Sequence, residues 1–341
     1  MVLQAQGDLG GAKKLYERAL VIDKAIYGPD HPNVATRVNN LGSVLKTQGD
    51  LVGAKRHYER ALEIGKKAYG PDHPNVATMA NNLGLVLQAQ GDLEGAKRHY
   101  ERALVIGEKA YGPNHPDVAT MANNLGDVLR HMGDLEGAKE HYERALKIDE
   151  KAYGLDHPNV ARDVNNLGLV LQAQSDLGGA KRHYERALVI DKATYGPDHP
   201  NVARDINNLG SVLQAQGNLG GAKKLYERAL KIDEKAYGPD HPNVAIRVNN
   251  LGSVLQDMGN LEGAKRHYER ALKIGEKTLG PDHPNVAIDV NNLGLVLQAQ
   301  GDLEGAKRHC ERALGIFRDK LGEDHPSTKT VRENLEALQH H

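Results

Sequence analysis

Four residue types recur in this chain at positions where they could do chemistry: histidine, tyrosine, asparagine and, once, cysteine. Eight of the 17 histidines precede proline, at His31, His73, His115, His157, His199, His241, His283 and His325. Six others recur at His57, His99, His141, His183, His267 and His309. Imidazoles can ligate metals or move protons, but a metal site needs ligands that converge, as HxxxH or paired CxxC spacings allow. Both histidine sets instead follow a 42-residue register, which makes a ladder of separate rings and not a cage. All 13 tyrosines fall at two positions of the same register, so the repeat accounts for them. Cys310 stands where the other units carry a tyrosine, with no local histidine and carboxylate signature to activate a thiol, and reads as a packing residue. No Walker loop, GxGxxG, GxSxG or HExxH motif is present. The expectation is a non-catalytic chain with no metal and no cofactor.

The register itself predicts the architecture. The unit HPNVAxxVNNLGxVLQAQGDLxGAKRHYERALxIxEKAYGPD divides into two helices. In the first, Val34, Val38, Leu41 and Leu45 make an apolar stripe at helical spacing, with Pro32 in the first turn and Asp30 or His31 as the cap. Gly49 breaks that helix and Asp50 caps the next. The second carries Leu51, Ala54, Tyr58, Ala61, Leu62 and Ala68 on its buried face and stops at Gly70-Pro71. Units of this size cannot bury their apolar faces alone and must stack on their neighbours. The predicted fold is therefore all-α, a solenoid of antiparallel helix-turn-helix repeats. Aromatics at only 4%, with no Trp and one Phe, fit an array better than one large core. Residues 1–30 form a partial first unit, 31–324 seven complete units, and 325–341 a capping helix in which Lys329, Arg332 and Glu333 replace apolar or neutral residues.

One feature works against helix formation. The pairs Asn39-Asn40, Asn81-Asn82, Asn123-Asn124, Asn165-Asn166, Asn207-Asn208, Asn249-Asn250 and Asn291-Asn292 sit in mid-helix, where asparagine is unfavourable. Seven repetitions of two unfavourable choices need a compensating interaction. Either one asparagine of each pair bridges adjacent units, or the pairs contact a ligand. The positions that vary between units, such as Thr36/Arg162/Ile246, Arg37/Met79/Asp163 and Lys46/Arg130, lie on the same helix and read as being away from its apolar stripe.

Leu41, Gly42, Ala54, Tyr58 and Ala61 match the large-small-small signature of the tetratricopeptide repeat. The longer unit, with HP, VA, NNL, ERAL and GPDHP, resembles the repeats of kinesin light chains and of bacterial arrays often fused to signalling domains. That resemblance implies that the first helices line a concave groove and bind an extended polypeptide. Both asparagines of each pair, with Lys46, Arg130, Arg162 and Arg204, are the groove residues it implies. An asparagine amide can donate to and accept from a peptide backbone of any sequence.

Lys+Arg and Asp+Glu nearly cancel, 44 against 45, and no stretch has the basic excess that nucleic acid requires. The apolar runs are too short for a membrane span, and the N-terminus lacks a signal-peptide pattern. The expected location is cytoplasmic and the expected partner a protein or peptide. Two alternatives remain: a sensor or autoinhibitory region of a larger bacterial signalling protein, and a self-assembling structural spacer. The start at Met1, partway through a first helix, and the lone helix after Pro326 leave unlike ends. Leu9, Ala12, Tyr16 and Ala19 at one end and Val331, Leu335 and Leu338 at the other predict head-to-tail stacking.

Overall fold

A computed structural model describes residues 9–339; residues 1–6, read above as the end of a helix, lie outside them. Among the described residues there are sixteen helices and no strand. The first helices of the units are α2 (Pro32–Thr47), α4 (Pro74–Ala89), α6 (Pro116–His131), α8 (Pro158–Ala173), α10 (Pro200–Ala215), α12 (Pro242–Asp257), α14 (Pro284–Ala299) and α16 (Pro326–Gln339). The second helices are α1 (Leu9–Tyr27), α3 (Leu51–Tyr69), α5 (Leu93–Tyr111), α7 (Leu135–Tyr153), α9 (Leu177–Tyr195), α11 (Leu219–Tyr237), α13 (Leu261–Leu279) and α15 (Leu303–Leu321). They group into two compact bodies, α1–α8 up to Gln174 and α9–α16 from Ser175 onward. Within each body, consecutive helices pack on one another, and each first helix also touches the first helix of the next unit.

Local chemistry fixes the helix ends. In every first helix the cap is the histidine: His31 Nδ1 accepts from the Asn33 N–H at 3.1 Å, and the arrangement recurs through Ser327 on His325 at 3.2 Å. Proline then occupies the first turn, where its missing N–H removes no helical bond. The tyrosine four residues earlier stacks on the capping ring, as in Tyr153 on His157 with centroids 4.3 Å apart. These histidines therefore serve as helix caps, six of them under a stacked tyrosine, while Leu279 and Leu321 stand in that place before His283 and His325. Asp50 Oδ1 caps α3 through the Gly53 N–H at 2.8 Å.

Close approach of the two helices within a unit depends on glycine. A Cβ at Gly84 would lie 2.6 Å from the Tyr100 ring, so the tyrosine packs flat against bare backbone. Tyr58, Tyr100, Tyr142, Tyr184, Tyr226 and Tyr268 are all buried in this way beside Ala54, Ala61 and their equivalents. Several also hold a first-helix glutamine through their hydroxyls, as Tyr226 does with Gln214 at 3.0 Å. Cys310 occupies this site in the last complete unit and is fully buried, with its sulfur facing Gly294. Burial and the neighbouring Glu311 charge both raise its thiol above the ordinary range, which keeps it an unreactive packing group.

Two substitutions test this packing. The turn between first and second helices needs a left-handed residue, which is glycine at Gly49, Gly91, Gly133, Gly217, Gly259 and Gly301, with φ between 78° and 85°. Ser175 holds the same conformation at φ 66°. S175G should raise the unfolding free energy by on the order of 0.5–1 kcal/mol, the side-chain strain being larger than the added chain entropy; an unchanged or lower denaturant midpoint would show that the turn is unstrained. C310Y restores the tyrosine seen in the other units and should be neutral or stabilising in thermal unfolding. A clear loss of stability would mean that this unit packs differently from the rest.

Candidate functional site

The asparagine pairs form a continuous feature of the first-helix layer within each body. Asn82 Nδ2 donates to Asn39 Oδ1 at 3.1 Å, Asn124 to Asn81 at 2.8 Å, and Asn166 to Asn123 at 3.2 Å. In the second body Asn250 donates to Asn207 at 2.8 Å, Asn292 to Asn249 at 2.9 Å, and Asn334 to Asn291 at 3.1 Å. The second asparagine of one unit thus bonds the first asparagine of the unit before it. This is the bridging arrangement, and both members of the pair take part. Asn334, beside Glu333 in ENL and outside any Asn-Asn pair, is the 42-residue translation of Asn292 and takes the same role.

The two members differ in environment. Asn123, Asn165 and Asn207 are buried, and Asn123 Nδ2 also donates to the Ala119 carbonyl and to Asp163 Oδ1. Asn40, Asn82, Asn124, Asn166, Asn208, Asn250 and Asn292 are half-buried. For Asn82, Asn124, Asn166, Asn250 and Asn292, the bridge takes one N–H, leaving Oδ1 and the second N–H for other partners.

Of the four cations expected beside the ladder, three are engaged within the chain. Arg130 Nη2 lies 2.9 Å from Asp127 Oδ1. Arg162 sits between Asp149 Oδ2 at 3.1 Å and Asp163 Oδ1 at 2.9 Å, and Arg204 repeats this with Asp191 and Asp205. Lys46 is half-buried, and burial lowers its pKa.

The Arg162 and Arg204 contacts lie at the junction where a second helix meets the next first helix, and the variable positions cluster there. Met79, Met121, Asp163, Asp205, Arg247 and Asp289 are not on a free face; all are buried. Each faces a residue fourteen positions earlier. Asp23 pairs with Arg37 and Asp233 with Arg247, both at 2.9 Å. Gly65 and Gly107 leave room for Met79 and Met121, whose sulfurs would lie 2.7 Å from any added Cβ. Asp149 and Asp191 face the Arg162-Asp163 and Arg204-Asp205 pairs. In those triads burial raises all four carboxyls against the pull of the arginine, and two carboxylates beside one guanidinium favour retention of a proton.

Asp289 differs from the rest. It faces Gly275, no described cation pairs with it, and burial alone pushes its carboxyl up to about 7. An unfolded aspartate titrates near 3.9, so between about pH 4 and 7 the folded chain holds the extra proton. Stability contributed by this group is therefore greatest at the acid end and falls as pH rises towards 7. D289N, which does not titrate, should match the parent near pH 4 and become progressively more stable than it as pH rises from about 4 to 8. Equal stability of the two at both pH values in denaturant titrations would contradict the burial argument.

Among the described residues no group of three or more His, Cys, Asp or Glu is placed to hold a metal ion, and no helix is long and apolar enough to cross a membrane. Comparison with curated proteins finds no match. Among solved structures, the chain is similar to BtubC (BKLC) from P. vanneervenii, at 24% identity over 70% of this chain and 93% of that one, with a TM-score of 0.57. It is also similar to the apo form of RapI, at 15% identity over 89% and 99%, TM-score 0.63. A third is a variant form of the putative kinesin light chain of Podosopora anserina with nearly identical TPR-like repeats, at 22% identity over 60% and 97%, TM-score 0.50. At these identities the likeness shows the fold, an all-α repeat solenoid. Tetratricopeptide repeat models match residues 1–67, 36–104, 75–151, 117–188, 163–235 and 205–247, and a second such model matches 244–285 and 290–327. The 42-residue units, their helix pairs and these matches along the chain place it in the tetratricopeptide repeat family, whose arrays generally serve as protein-interaction scaffolds.

Proposed function

We propose that this array is a non-catalytic scaffold that binds an extended polypeptide along the first-helix layer, with the second asparagine of each pair as the repeating contact. The observation that carries this reading is the incomplete use of those amides. Asn82, Asn124, Asn166, Asn250 and Asn292 each have one N–H fixed by the neighbouring unit, which orients the side chain and leaves Oδ1 and an N–H available. An amide held in place before binding loses little rotamer entropy on contact with a ligand. A peptide backbone offers the same alternation of donor and acceptor whatever its side chains, so a ladder of amides suits an extended partner. The buried first asparagines Asn123 and Asn207 accept the bridges, and Arg162 and Arg204 brace the junctions beneath the ladder. Lys46 and Arg130 lie near the end of the first helices and contribute side-chain preference.

Peptides selected from a random unstructured library for binding the full chain provide the test. Replacing Asn82, Asn124 and Asn166 together with Ala removes three bridges, each worth about 0.5–1.5 kcal/mol. The expected outcome is a folded chain of lower thermal midpoint whose peptide affinity falls about tenfold or more, at any selected sequence. Retained affinity in the folded triple variant would overturn the proposal and leave the asparagines a bridging role alone.

A further inference from the structure

The junction between the unit opening at His241 and the one opening at His283 departs from its sisters at four registered positions. Gly275 stands in place of Asp149 and Asp191, Leu279 in place of the stacked Tyr153 and Tyr195, and Ile288 in place of Arg162 and Arg204. Ile246, one unit before Ile288, stands in place of Thr120 in one sister junction and Arg162 in the other. Only Asp289 keeps the identity of Asp163 and Asp205. In the sister junctions a guanidinium lies on that carboxylate, with Arg162 Nε 3.0 Å from Asp163 Oδ1 and Arg204 Nε 3.0 Å from Asp205 Oδ1. In the glycine junctions a methionine fills the gap instead. Here neither is present.

What remains is a cavity of about 460 Å³ lined by Ala245, Ile246, Asn249, Leu279, Ile288 and Asp289. Asp289 is only 7% exposed, whereas Ile246, Leu279 and Ile288 are 47%, 37% and 44% exposed. A buried carboxylate that lacks its cation thus lies in a cavity lined by accessible apolar side chains. Burial without a partner is costly for a carboxylate, and a neutral apolar occupant would deepen that cost. A cation on an apolar stem answers both features.

We propose that this cavity binds an arginine side chain of the polypeptide carried by the array, its guanidinium on Asp289 and its methylenes against Ile246, Leu279 and Ile288. The proposal rests on the groove reading above for the course of the rest of the peptide. Arginine is favoured over lysine because its planar fork matches a carboxylate and because the sister junctions hold a guanidinium on the equivalent atom. The occupant replaces, in trans, the arginine that Ile288 displaced.

Three end-blocked alanine pentapeptides, with central arginine, its uncharged isostere citrulline, or leucine, are titrated into the full chain by NMR. The arginine peptide should bind about tenfold or more tightly than the citrulline one, the scale of losing one partner of a buried charge pair. D289N should erase that preference while circular dichroism stays unchanged. I288R, which restores the arginine of the sister units in cis, should also erase it and raise the thermal midpoint. Equal binding of the arginine and citrulline peptides, or an arginine preference that survives D289N, would overturn the proposal. The ladder variant of Asn82, Asn124 and Asn166 separates the two readings. If the library-selected peptides lose affinity in that variant while no arginine preference exists in the parent, the groove reading stands and this inference fails. If the arginine preference persists while the selected peptides are unaffected by the ladder change, the cavity stands and the groove reading fails.

Discussion

The hydrogen bond from one unit's asparagine to the previous unit's asparagine ties successive first helices together within each body. An amide pair in mid-helix is a poor local choice, and only a partner outside the helix makes it favourable. Because each unit both donates and accepts, the bond propagates through α2, α4, α6 and α8 in one body and through α10, α12, α14 and α16 in the other. The result is a row of side chains oriented before any ligand arrives.

Beneath the row, the junctions show how a repeat tolerates change. Residues that differ from unit to unit are buried in matched sets: Asp23 with Arg37, Gly65 with Met79, Asp149 with Arg162 and Asp163. Volume and charge are each complemented across the interface, so variation there reflects interface fit before it reflects a ligand. The junction of Gly275 with Asp289 is the exception, since a cavity remains there and no described cation pairs with the carboxylate. An interface that fails its own pattern at one place is where an outside group has most to offer.

The helices and their ends were legible in the sequence because punctuation residues act locally. Pro32, Gly49, Asp50 and Gly70 mark boundaries that the structure places at Pro32–Thr47 and Leu51–Tyr69. The glycine-tyrosine contact was legible in kind, since small residues at Gly42, Ala54 and Ala61 imply close helices. The junction was not. A helical wheel drawn for one unit shows the stripe facing its own second helix, but each first helix also meets the preceding second helix and the preceding first helix. Positions such as Asp163 and Met79 therefore looked free and are buried. The asparagine bridge was foreseen as one of two readings, but its direction, from the second of one pair to the first of another, needs three-dimensional register. Asn334 lies outside an Asn-Asn pair because its neighbour is Glu333, and only the period marks it.

On the function proposed above, one asparagine amide braces the array and contacts a ligand at the same time. Side-chain amide NMR of the full chain, free and bound to a selected peptide, tests it most directly, because the two protons on each Nδ2 report separately. For Asn82, Asn124, Asn166, Asn250 and Asn292, the bridging proton should be protected from exchange in both states and barely shift. The other proton should shift and slow its exchange only when peptide is bound. Peptide binding that leaves both protons of these amides unchanged, with shifts confined to side chains of α3, α5, α11 and α13, would contradict the account.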